Sequence, residues 1–244
     1  MIEINYLGRF GNQLFQYAIG RVISEKKNLS VISGNYGDPE EKEISIFKSS
    51  EQEQRIIVQD NPLVIRGFKL DYDEIFEHNG KYILYGYFQD YENILPYKDF
   101  IKSLYNFEKK KDLYSDEFIA VHIRLTDYYT SGGSLDMDYY MDVIEQSQKI
   151  PVIYTDDSNN PCIQIIKDTY NCKVHNNSSW IDFVELSSYK HICISQSSFS
   201  WWAAWLSNAE KIYYPLSSKK YWQHRNDGND VNLVVTDEDR YIYI

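Results

Sequence analysis

The second half of the chain alternates short apolar runs with stretches of helical spacing, and this pattern limits the fold more than any other feature. Phe118 to Ile123 reads as a buried strand, 138–149 as a helix, Pro151 to Thr155 as a strand and 159–170 as a helix. A strand over Asn171 to His175, a helix over 180–189, a strand over His191 to Ile194, a helix over 198–207 and a strand over Lys211 to Tyr214 follow. Strands alternating with helices build a parallel sheet covered on both faces. Ligands bind such sheets beyond the carboxyl ends of the strands, so the chemistry is sought there.

The first half is less regular. Ile2 to Tyr6 reads as a strand and Leu7 to Gly11 as a turn. A helix from Asn12 to Lys27 carries Leu14, Phe15, Ala18, Ile19, Val22 and Ile23 on one face. Residues 34–54 read as loop, 55–58, 63–67 and 81–87 as short strands, and Tyr91 to Leu104 as a helix. Lys109-Lys110-Lys111 reads as a solvated linker. The expected division is therefore a first lobe over 1–108, a second over 109–225 and a tail over 226–244.

Composition narrows the ligands. At 43% hydrophobic and 25% charged, the chain can bury a core. Its net charge of −11 disfavours nucleic acid, whose non-specific binding rests on neutralising phosphates. An anionic ligand must then be held by local cations and backbone donors. No run approaches the roughly 18 apolar residues of a membrane span, and the N-terminus has no basic, then apolar, secretory pattern. Three cysteines make no disulfide framework and suit a reducing cytoplasm.

Four strand ends carry polar residues. The first strand ends in Gly8-Arg9-Phe10-Gly11-Asn12-Gln13, a tight turn before a helix N-terminus, which suits phosphate. The strand at 118–123 bears His122 and delivers Arg124 and Asp127; an arginine there can hold a phosphate through two nitrogens. His122 either packs neutral in the sheet or donates to a ligand. The strand at 151–155 ends in Asp156-Asp157, which can accept from a sugar or base or cap the next helix. The strand at 191–194 leads into Ser195-Gln-Ser197-Ser198-Phe199-Ser200-Trp201-Trp202, hydroxyls and amides at a helix start; Trp202 and Trp205 are expected in the core. There is no Walker-type phosphate loop, no Gly-x-Gly-x-x-Gly after a strand, no His-Glu-x-x-His and no cysteine cluster.

Gly8-Arg-Phe-Gly-Asn-Gln-Leu-Phe-Gln-Tyr-Ala18, Val121-His-Ile-Arg124 with Asp127-Tyr128, Tyr154-Thr-Asp-Asp157, and Ser197-Ser-Phe-Ser-Trp-Trp-Ala-Ala-Trp-Leu206 resemble glycosyltransferase family 11, the α-1,2-fucosyltransferase family. Gly86-Tyr-Phe-Gln89 and Lys190-His191 are similar to it as well. The resemblance implies an α/β, GT-B-like enzyme of two Rossmann-like lobes facing a central cleft. It implies metal-independent, inverting transfer of L-fucose from GDP-fucose to the 2-hydroxyl of a terminal galactoside, with no cofactor.

On that resemblance Arg124 holds the diphosphate, with Asp127 as candidate base. His122, Asp156, Asp157 and Asp182 lie on the donor side, His122 and Asp182 near the guanine or ribose. Ser197, Ser198 and Phe199 adjoin the phosphates. Arg9, Gly11, Asn12 and Gln13 belong to the acceptor side. The partners are GDP-fucose and a glycan acceptor, with cytoplasmic placement or peripheral association at the inner membrane face. The chain departs from the family at Leu125, where a second arginine is usual, and at Thr126, where a glycine is usual. Two alternatives stay open: a transferase using another nucleotide-sugar, with Asp136-Met-Asp138 as a metal-binding pair, and a non-catalytic glycan-binding relative.

Overall fold

The computed structural model describes residues 1–33, 61–126, 134–216 and 231–244. The expected loop at 34–54, the strand at 55–58 and Asp127 lie outside them. The chain divides into two compact units: Met1–Asn106 with His224–Leu233, and Phe107–Gln223 with Val234–Ile244. The C-terminal stretch read as a tail is shared between the two.

In the first unit the order is β1 (Ile2–Ile4), α1 (Phe10–Lys27), β2 (Val31–Ser33), β3 (Leu63–Gly67), α2 (Tyr72–Glu77), β4 (Tyr82–Gly86), α3 (Tyr91–Ile94) and α4 (Lys98–Leu104). Its strands pair in parallel in the order β2-β1-β4-β3. The helix of α1 stops where Asn28 turns left-handed at φ 50°, after Lys26 and Lys27 have placed positive charge on its last turn. The expected single helix over 91–104 is broken: Leu95–Tyr97 tightens into a 3-10 turn at Pro96, which has no N–H for the ladder. The strand β2 and the helix α2 were not read from the sequence. Only Ile75 of α2 is buried, so it shows no apolar stripe; Asp71 starts it by accepting from the amides of Asp73 and Glu74.

Gly86 shows why its motif begins with glycine. The Gly67 carbonyl accepts from the amides of both Tyr87 and Phe88. A Cβ on Gly86 would stand 2.7 Å from that oxygen and 2.8 Å from the Gly67 nitrogen, both backbone atoms. Gly86→Ala should therefore destabilise the fold by about 1–3 kcal/mol, the usual cost of overpacking. Equilibrium urea unfolding measures this, and an unchanged midpoint would contradict it.

The second unit runs β5 (Phe118–Ile123), α5 (Met137–Ser147), β6 (Ile150–Thr155), α6 (Pro161–Tyr170), β7 (Lys173–His175), α7 (Ser179–Leu186), β8 (His191–Cys193), α8 (Ser198–Trp205), β9 (Lys211–Tyr214) and β10 (Tyr241–Tyr243). The six strands are parallel, in the order β10-β9-β8-β5-β6-β7. This is the doubly wound order, with its reversal between β5 and β8. One face of β5 points Ile119, Val121 and Ile123 into a core with Tyr140, Val143 and Ile144 of α5 and Ile163 and Ile166 of α6. The other face carries His122 against Phe199 of α8. Cover on both sides explains why β5 reads as an apolar run interrupted only by His122.

Two details are added here. Lys110 is exposed, as a solvated linker would be, and is also tied down: its amide donates to Ser188 Oγ at 2.9 Å, and its ammonium pairs with Glu185 of α7. Trp201 joins Trp202 and Trp205 in the core, all three fully buried.

Candidate functional site

The site is built at the carboxyl ends of β5, β6 and β8, beside the switch point. Register puts His122 opposite Tyr154 and Ile123 opposite Thr155, so β5 and β6 end level. Arg124 and Asp156 are the next residues on each, and Arg124 Nη1 meets Asp156 Oδ2 at 2.8 Å. Asp156 also accepts from the amide of Leu125 at 2.8 Å, from the amide of Thr126 at 3.4 Å and from Thr126 Oγ1 at 2.5 Å. Burial would raise this carboxyl, but the bonds from Thr126, Leu125 and Arg124 outweigh it and hold its pKa below the ordinary value. Asp156 is thus an ionised brace that fixes the Arg124 guanidinium.

Leu125 is buried in the β5–α5–α6 core. Its side chain anchors the strand end while its amide serves Asp156. Thr126 gives Asp156 a hydroxyl. The bracing role of Thr126 was not read from the sequence, because a threonine just past a strand carries no signal of its partner.

His122 is buried, and its Nδ1 lies 2.8 Å from Ser195 Oγ. Burial, helped by the Arg124 charge, lowers its pKa to about 3. The ring is neutral and packed, tilted on Phe199 at 5.2 Å between centroids, and Phe199 in turn meets Phe183 edge-on at 5.6 Å. Ser195, which sequence reasoning quoted but did not select, therefore belongs to the site; its mark is being the first polar residue after a buried strand.

Ser197 precedes α8 as its N-cap and makes no side-chain capping bond; Ser198 opens the helix. Serine hydroxyls and first-turn amides therefore stand together at the positive end of the helix dipole. Asp157 braces the next helix instead of standing free: its Oδ2 accepts from Asn160 Nδ2 at 3.2 Å, and Asn160 caps α6 through the Cys162 amide. Asp182 is buried and accepts from the amide and side chain of Asn177 at 3.1 and 2.8 Å. Burial raises its pKa despite those bonds.

The residues assigned to the acceptor side lie in the first unit. Gly8 turns at φ 69°, and a Cβ there would lie 2.1 Å from Asn12 Nδ2. Asn12 Oδ1 accepts from Gln89 Nε2 at 2.6 Å, and Gln13 Nε2 donates to the Gly8 carbonyl at 3.2 Å. Gln16 fastens the same turn through both the amide and the carbonyl of Leu7. Asn12 and Gln13 thus tie the turn together, Gly11 is buried in the first turn of α1, and Arg9 is exposed.

Lys190 and His191 sit at the other end of β8, away from the serine loop. His191 Nε2 meets Asp116 Oδ1 at 2.7 Å and Lys149 Nζ meets Asp116 Oδ2 at 2.9 Å, a clasp on the amino ends of β5, β6 and β8. Asp136 precedes α5 as its N-cap and Asp138 lies in its first turn. Among the described residues no group of three or more His, Cys, Asp or Glu is placed to hold a metal ion. No helix among them is long and apolar enough to cross a membrane.

Comparison with known proteins places the chain in a family. The chain is 27% identical to the O-antigen biosynthesis glycosyltransferase WbnK of Escherichia coli, over 90% of this chain and 94% of that one. Its fold is similar to that of a mutant of Arabidopsis thaliana FUT1 in complex with GDP. That likeness has a TM-score of 0.53 at 12% identity, over 94% of this chain and 72% of that chain. The sequence profile of glycosyl transferase family 11 matches residues 1–226, which takes in every strand end described above. The chain belongs to glycosyl transferase family 11 and is a glycosyltransferase.

Proposed function

We propose that the protein transfers L-fucose from GDP-fucose to the 2-hydroxyl of a terminal galactoside, with inversion and without a metal ion. The observation that carries this reading is the braced Arg124 guanidinium beside the switch point, level with the N-terminus of α8 in the same unit. Family membership and the GDP complex of the structural relative support the choice of nucleotide.

As the bond between the anomeric carbon and the diphosphate breaks, negative charge grows on the leaving phosphate and positive charge on the sugar. Arg124 and the α8 amides are placed to take the first, held in advance of the reaction. Each such donor is typically worth about 3–4 kcal/mol of barrier. Attack by the acceptor hydroxyl from the face opposite GDP converts a β-linked donor sugar to an α-fucoside. Asp127, three residues beyond Arg124, is the base we assign to that hydroxyl. The likeness to an O-antigen enzyme suits a surface glycan as acceptor, made in the cytoplasm or, for a lipid-linked acceptor, at the inner membrane face. Leu125 has a physical role in the core.

Isothermal titration with GDP, GDP-fucose and UDP-sugars, each with and without EDTA, tests the reading. GDP and GDP-fucose should bind with the same affinity in both conditions. Binding only of a UDP-sugar, or binding abolished by EDTA, would overturn it.

A further inference from the structure

His122 and Ser195 are both buried, and the Ser195 proton has one short destination. Ser195 Oγ lies 2.8 Å from His122 Nδ1 and 3.4 Å from Ser200 Oγ. Ser200 has acceptors of its own, the Ser197 carbonyl at 3.2 Å and the Ser195 carbonyl at 3.4 Å. Hydroxyl hydrogen bonds to oxygen rarely exceed about 3.0 Å. If Nδ1 carried the ring proton and donated it, the Ser195 proton would be left with the long contact to Ser200. If Ser195 donates to Nδ1, the short bond is used and Ser200 keeps its carbonyls.

We propose that Ser195 donates to Nδ1 and so fixes the tautomer of His122, placing the ring proton on Nε2 and making His122 a hydrogen-bond donor to the nucleotide base. The Nε2 atom has no protein partner among the described residues. The ring is neutral near pH 7, so its tautomer alone decides whether this nitrogen donates or accepts. A donor matches the O6 carbonyl of guanine. At the position of O6 adenine presents an amino group, and two donors facing each other leave both unsatisfied. Ser195 is thus a positioning residue for base choice, acting through His122 without touching the nucleotide. The base assignment rests on the GDP-sugar reading; the tautomer assignment does not.

Long-range proton–nitrogen correlation spectra of histidine-labelled protein near neutral pH read the tautomer directly, with the His122 signal identified by its loss in His122→Gln. Wild type and Ser200→Ala should both show the proton on Nε2. Ser195→Ala should show a mixed or reversed tautomer, and its preference for GDP over ADP should fall about tenfold, the scale of one hydrogen bond. Ser195→Thr, which keeps the hydroxyl, should restore both. A proton on Nδ1 in wild type, or an unchanged tautomer in Ser195→Ala, would overturn the proposal. If Ser195→Ala does not fold, the wild-type and Ser195→Thr spectra decide it. A protein that binds neither GDP nor ADP would defeat the GDP-sugar reading, while the spectra still decide the role of Ser195.

Discussion

Arg124→Ala should lower turnover by about 10²–10³-fold, the typical loss when one fixed donor to a developing anion is removed. The guanidinium is largely shielded, with 15% of its side-chain surface exposed, so its field at the leaving phosphate is not diluted as a surface charge would be. The loss should fall mainly on kcat, because the charge it meets grows as the bond breaks. Arg124→Lys should recover only part of the activity, since an ammonium keeps the charge and loses the two-pronged geometry. Folding should change little in either variant: Asp156 keeps its bonds from Leu125 and Thr126. Steady-state kinetics with a thermal melt of each variant separates the two effects. Full activity in Arg124→Ala would remove this residue from the mechanism.

Trp201→Ala should have the opposite profile, a loss of about 3–5 kcal/mol of stability, the range for truncating a large buried aromatic. Trp201 stacks on Trp205 at 5.5 Å and meets Trp202 edge-on at 5.2 Å, and all three are fully buried. The cavity left in that cluster cannot collapse without moving α8. At about 2–4 °C per kcal/mol for a chain of this size, the melting midpoint should drop by about 10 °C. Nucleotide binding should weaken as well, because the same helix presents Ser197 and Ser198. A midpoint shift below about 3 °C, on the same scale, would show that the cluster repacks.

These two residues mark the limits of what could be read in advance. The sequence places Trp202 and Trp205 of α8 in the core, since apolar bulk in a helical stretch after a buried strand has few places to go; Trp201 is not among them, and the structure adds it. Arg124 could be placed at a strand end, because β5 is apolar at every position but His122. Its partner could not be found that way: Asp156 lies on another strand, and only the register of β5 with β6 brings the two level. Asn12 and Gln13 show the same gap. Their residue type suggests ligand contacts but not the partners they have within the fold: Asn12 Oδ1 accepts from Gln89, 77 positions away, and Gln13 Nε2 donates to the Gly8 carbonyl. The strand β10 escaped because its apolar run is short, Tyr241–Tyr243, and lies beyond a long polar stretch. The break at Pro96 was legible in principle, since proline inside an apolar-periodic stretch ends or kinks a helix.

The route of the chain through its two units sets terms for anyone who would exchange them. A boundary at 108/109 suggests that one junction would graft the donor-binding unit of a relative onto this first unit. The observed division has three, at 106/107, 223/224 and 233/234. Val231 and Leu233 are buried with the first unit, and Val235 and Tyr241 with the second. A hybrid joined once would keep β10 with its own sheet but close the first unit with a segment, His224–Leu233, from the other parent. Lobe-swapped hybrids should therefore be cut at all three positions.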